Sequence, residues 1–168
     1  MRHIRLAAMQ KLTAMLSEIK TANGCSIDVA RVTRNLPMAT AEDTIPMIAI
    51  NEAIRSGDYT TAGEGYKRND TIDFLMVMWT KSTNANPDED AYALIGEVEK
   101  VLARAVAINP SNGNPMYPDD YRLGGLAVKV AWSPAIIHNP PDKVKSHTYA
   151  YFQFQITFAY DAIDPFVK

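Results

Sequence analysis

The sequence predicts an α+β domain: a mainly antiparallel sheet of about five strands with two amphipathic helices packed on one face, in the order α-β-β-β-α-β-β, with long projecting loops. Three observations carry this reading. Two stretches place apolar residues at steps of three and four, the spacing of one helix face. Several others alternate apolar and polar residues at steps of two, the spacing of a strand. Segments rich in Pro, Gly and polar residues separate them.

The first helix rests on Ile4, Ala8, Leu12, Met15, Leu16 and Ile19, with Arg5, Lys11, Ser17 and Lys20 largely elsewhere. Asn23-Gly24 supplies the left-handed residue that commonly ends a helix. Residues 25–34 read as a strand of imperfect alternation that Asn35-Leu36-Pro37 ends. Pro46 is placed at the start of the next strand, Ile45-Pro46-Met47-Ile48-Ala49-Ile50, because proline cannot donate within a central ladder. Residues 55–70 form a first long loop. From Ile72 to Trp79 only Asp73 is polar: Ile72, Phe74, Met76 and Met78 point one way, Leu75, Val77 and Trp79 the other. A strand apolar on both faces is usually covered on both. In so small a domain, another subunit is the expected second cover.

The second helix, over 87–107, opens with Asn86 as cap, Pro87 in the first turn and Asp88, Glu89 and Asp90 at the positive end of the dipole. Its stripe is Ala91, Leu94, Ile95, Val98, Val101, Leu102, Ala105 and Val106. Gly96 within it suggests close backbone packing. A second loop covers 109–122. Leu126, Val128, Val130 and Trp132 form a half-buried strand, and a third loop covers 133–147. The last strand points Phe152, Phe154, Ile156, Phe158 and Tyr160 one way before Asp164-Pro165 ends it.

The 168 residues read as a single domain, 1–168, large enough to bury a core without covalent staples. Hydrophobic residues at 47% and charged residues at 21% exclude wholesale disorder. A net charge of −2 argues against binding driven by nucleic-acid phosphates. The lone Cys25 excludes an internal disulfide framework. No stretch reaches the ~20 apolar residues of a membrane span. Gln10, Lys11, Glu18 and Lys20 interrupt the segment after the basic start, so synthesis in the cytoplasm without a signal peptide is expected.

Catalytic signals are weak. Nothing ties His3, His138 or His147 to Cys25, which lacks the base and electropositive setting of a nucleophile. His138, Asp142 and His147 share a loop but match no tight zinc spacing. Gly63-Glu64-Gly65 lacks the helix that a phosphate-binding loop opens. Asp119, Asp120, Asp161 and Asp164 sit at turns, where solvated acids are ordinary. No catalytic, metal-binding or cofactor-binding residue is therefore assigned. The long loops are the functional pointer, because structureless loops beyond ~12–15 residues are uncommon in compact domains and often bind partners. Tyr59, Tyr66, Lys67 and Arg68 in one, and Ile136, Ile137, His138, Lys143 and Lys145 in another, are the expected interface residues.

The order of elements resembles that of the tail terminator, or tail completion, proteins of tailed bacteriophages. The features that carry the resemblance are the first helix, Asn23-Gly24-Cys25-Ser26-Ile27-Asp28-Val29-Ala30-Arg31-Val32-Thr33-Arg34, and the Ile45 to Ile50 strand with Glu52 after it. They continue with the central strand, the acidic-capped helix and the ending Ile156-Thr157-Phe158-Ala159-Tyr160-Asp161 with Asp164-Pro165. The sequence departs from the family at Cys25, where an aromatic residue is commoner, and in its long 133–147 segment. The resemblance implies a structural virion protein of the tail and neck, without enzymatic activity or cofactor. It implies a homohexameric ring at the head-proximal end of the tail tube that ends tube polymerisation and offers the head–tail joining surface. Its partners are then its own copies, the tail tube protein, a head–tail connector or stopper protein and, in a contractile tail, the sheath. Genomic DNA passes through the lumen without sequence-specific binding, and no membrane is involved. The alternatives are another neck, connector or baseplate subunit, and a cytosolic small-molecule-binding α+β dimer with a pocket at Tyr149, Tyr151 and Trp132. A hydrolase or metal enzyme ranks last.

Overall fold

A computed structural model describes residues 1–36, 43–53, 67–81, 88–138, 147–161 and 163–167. A two-residue strand, Arg2–His3 (β1), leads into helix Ile4–Ser17 (α1) and a 3-10 turn over Thr21–Asn23. Strands Arg31–Arg34 (β2), Met47–Glu52 (β3) and Lys67–Lys81 (β4) come next, then helix Glu89–Arg104 (α2) and the short helix Arg122–Gly125 (α3). Strands Lys129–Trp132 (β5), Ile136–His138 (β6), His147–Asp161 (β7) and Phe166–Val167 (β8) complete the chain.

The main sheet runs β2-β3-β4-β7-β5, with β6 also on β7. Its pairings are antiparallel except for β2 with β3. β1 and β8 pair separately, tying the two ends of the described chain together. The α+β class thus holds. The expected five strands and their order do not, because β1, β6 and β8 have two or three residues each and leave no period in the sequence.

The long ladder between β4 and β7 fixes which side chains share a face. Ile72, Phe74, Met76 and Met78 stand opposite Ile156, Phe154, Phe152 and Ala150. These residues meet Ala8, Leu12, Met15 and Leu16 of α1 and Leu94, Val98, Val101 and Leu102 of α2 in one buried cluster. Phe74 and Phe154 stack at 5.0 Å. Both long helices therefore lie on one face of the sheet, as their apolar stripes predict.

Several local expectations change. Residues 25–30 are not strand, because partners outside a strand ladder capture their backbone. Glu97 accepts from Ser26 N at 3.0 Å, Lys20 Nζ donates to Val29 O, and Val29 N donates to Ile19 O at 2.9 Å. Gly24, at φ +83°, ends the 3-10 turn instead of α1. The 55–70 loop is shorter than read, since Lys67, Arg68, Asn69 and Asp70 extend β4. Leu126 and Val128 precede β5 instead of belonging to it, and β6 lies within the 133–147 segment. Gly96 marks no close approach: an added Cβ would meet nothing within 4 Å. Val106 is exposed, because α2 ends at Arg104. Asn86 and Pro87 lie outside the described residues.

Candidate functional site

The second face of the sheet carries the other half of each strand's alternation. The register sets Arg31, Met47, Trp79, Tyr149 and His138 in one row. Thr33, Ala49, Val77, Tyr151 and Ile136 form the next. Among the described residues no helix lies over this face. Ile45, Met47, Ala49 and Trp79 form a small buried cluster there, with Leu36, Val77 and Tyr149 packed against it. Toward β6 the rows come into solvent. His138 stacks on Tyr149 at 5.4 Å and on Tyr151 at 5.5 Å between ring centroids. Ile136 is 51% exposed beside them.

Further along β4 and β7 this face turns polar. The Thr71 and Thr157 hydroxyls share a 3.0 Å hydrogen bond, and Gln155 donates to Asp73 at 2.8 Å. Asn51 Oδ1, on the same face, is buried without a hydrogen-bond partner among the described residues. The face thus has an aromatic–aliphatic end and an amide–hydroxyl end. Such mixed surfaces, with Tyr and apolar anchors beside satisfied polar groups, suit protein contacts.

The structure divides the expected interface residues. Ile136 and His138 share the open face, whereas Ile137 points the other way and packs against the main core. Strand alternation separates the Ile136-Ile137 pair that a loop would have presented together. Lys67 is exposed on the open face at the far end of β4. Arg68 is no loop cation: it turns under the sheet and pairs with Asp70 at 3.3 Å. Tyr59, Tyr66, Lys143 and Lys145 lie outside the described residues, as do Asp142 and Gly63-Glu64-Gly65. Tyr149 and Tyr151 cannot share a pocket with Trp132, which packs into the helix-side core.

Sequence reasoning missed two buried charge clusters. Asp70 accepts from Arg5 at 2.7 Å and from the Tyr160 hydroxyl, and Arg68 stands beside it. Burial alone would raise the Asp70 carboxyl, but Tyr160, Arg5 and Arg68 outweigh it and hold it below the usual carboxylate range. Asp120 is likewise buried, not a solvated turn acid. It pairs with Lys11 at 2.7 Å and with Arg104, which also reaches Glu18 at 3.0 Å. Burial works against its ionised form, and Lys11 and Arg104 again prevail. Both clusters tie α1 to distant chain, which makes them structural. The signal available in the sequence was charge at otherwise apolar positions of a strand or turn.

An open cavity of about 690 Å³ lies between the first turns of α1 and the β2–β3 edge. Its floor is apolar, with Met9, Val32, Ile50 and Phe74, and its rim includes Arg34 and Glu52. Cys25 is a free, half-buried thiol against the main core. Among the described residues, no three His, Cys, Asp or Glu side chains converge as a metal site requires, and no helix is long and apolar enough to cross a membrane. Compared with known proteins, the chain matches no family model and no curated protein.

Proposed function

We propose that this protein is a non-catalytic structural subunit that assembles with its own copies into a ring of the tail-terminator kind. In that role it ends the tail tube of a bacteriophage and offers the joining surface to the head connector. The observation that carries the reading is the open face of the sheet. One face is covered by α1 and α2, while the other, beside the buried Met47, Ala49 and Trp79, presents Val77, Tyr149, Tyr151, Ile136 and His138 half-buried or exposed. Edge strands β2 and β5 border the sheet, and unpaired edges are templates for pairing between chains. Head-to-tail contacts of this sort close into a ring when the rotation per subunit closes.

The test is a double variant, Ile136→Asp with Tyr151→Asp, characterised by native mass spectrometry and electron microscopy. Both side chains lie in the same row of the open face, so the monomer is expected to keep its fold while assembly is lost. Assembly equal to that of the wild type would remove the open face from the contact.

A further inference from the structure

A ring needs two different surfaces on each subunit, one that gives and one that receives. The open cavity beside β2 has the character of a receiver. A donor occurs on the chain that leads to β5, the strand at the other edge of the sheet. Residues 105–117 leave α2 as a tongue closed on itself by backbone hydrogen bonds. Met116 N donates to Ala107 O at 3.0 Å, Asn109 N to Asn114 O at 2.8 Å, and Gly113 N to Asn109 O at 2.8 Å. Asn109 and Asn112 side chains accept from the backbone of Ser111 and Asn114. This held tongue exposes apolar side chains: Ile108 at 47%, Met116 at 56% and Tyr117 at 44%. Clustered exposed apolar side chains on a rigid support mark an interaction site.

The charges beside the two features are complementary. At the cavity rim Arg34 and Glu52 are exposed and form no ion pair among the described residues. At the base of the tongue Asp119 and Arg122 are exposed and likewise form no ion pair among the described residues. Arg122 stacks over Tyr121, at 5.2 Å. Each feature thus offers one acid and one base to a partner carrying the opposite set.

We infer that the tongue of one copy, led by Met116 and Ile108, inserts into the cavity between α1 and the β2–β3 edge of the next copy, with Asp119 facing Arg34 and Arg122 facing Glu52. The inference rests on the ring reading above and names one of its contacts. Donor and receiver are different surfaces of one chain, so each copy can give and receive at once and the contact can repeat head-to-tail.

The experiment uses full-length chains and native mass spectrometry. Met116→Asp spoils the tongue and leaves the cavity intact. Thr13→Trp fills the cavity and leaves the tongue intact. Circular dichroism checks that each folds, and Arg34→Glu replaces Thr13→Trp if the latter does not. Each variant alone is expected to lose assembly by tenfold or more in midpoint concentration. Mixing the two is expected to give a one-to-one heterodimer and nothing larger, because only one competent tongue and one competent cavity remain. In the charge-swapped chain, Arg34→Asp with Asp119→Arg, assembly is expected to recover relative to either single change. If the wild type forms rings and both variants do too, the tongue contact is wrong and the ring reading stands. If the variants fail and mixing restores nothing, the contact is again wrong. A wild type that remains monomeric overturns both.

Discussion

Glu97 is a buried carboxylate on α2 that accepts from the backbone N–H and hydroxyl of Ser26 and from Lys100 at 3.0 Å. The Ser26 backbone bond, against the opposing effect of burial, brings its pKa down to about 2. An unfolded chain takes up this proton near pH ~4.3. Between that value and about 2 the unfolded state binds more protons, so stability falls as pH falls through this window and is fully present above it. Glu97→Gln is expected to reduce stability at neutral pH by on the order of 2–3 kcal/mol and to flatten the acid limb below pH ~4.5, as read by urea unfolding across pH. An unchanged acid limb would refute the assignment. Asp70 belongs to the same scale. Asp70→Asn leaves Arg5 and Arg68, each with a buried Nε lacking a hydrogen-bond partner among the described residues, without this counter-charge. The expected loss is about 2–4 kcal/mol, whereas Asp161→Asn, at an exposed acid, is expected to change stability by no more than ~0.5 kcal/mol. Neither buried carboxylate was legible as such, because a sequence pattern shows a charge but not the partner that folding brings to it.

The elements that periodicity describes well are the ones whose stability comes from a single apolar stripe. α2 is one: Ala91, Leu94, Ile95, Val98, Val101 and Leu102 are all buried. β7 is another, with Phe152, Phe154, Ile156 and Phe158 buried in alternation. Segment 25–30 failed because its conformation is set in part by Glu97, which accepts from Ser26 across 71 positions of sequence and so lies outside any local window. β6 failed because three residues hold no period, and reading it as loop paired Ile136 with Ile137 on one surface. Substitutions separate the contributions of the elements. Gly96→Ala, with open space around its Cβ, is expected to stabilise the protein by about 0.5–1 kcal/mol in thermal or urea unfolding. Phe154→Ala removes a fully buried ring stacked on Phe74 and is expected to destabilise by about 3–5 kcal/mol, with no comparable effect from His138→Ala on the open face. Equal losses at the two positions would show that the open face is part of the monomer's core.

At the scale of the molecule, two helices pack on one face of the sheet and leave its other face without a helix among the described residues. The sequence already pointed this way through the strand from Ile72 to Trp79, apolar on both sides. The structure gives that second side its neighbours: Met47, Ala49, Tyr149 and Tyr151 beside Val77 and Trp79. What the sequence did not reveal was the pair of features that the proposed tongue-and-cavity contact uses, because a cavity exists only once α1 lies over β2 and β3. In the proposed reading both surfaces make one demand: other copies complete the isolated subunit. Electron microscopy of the concentrated pure protein, read with its native mass, puts that demand to the test. Closed six-fold rings of about 112 kDa, six times the 18.6 kDa chain, are expected. A species that stays at the mass of one chain at every concentration, with no ring in any field, would contradict it.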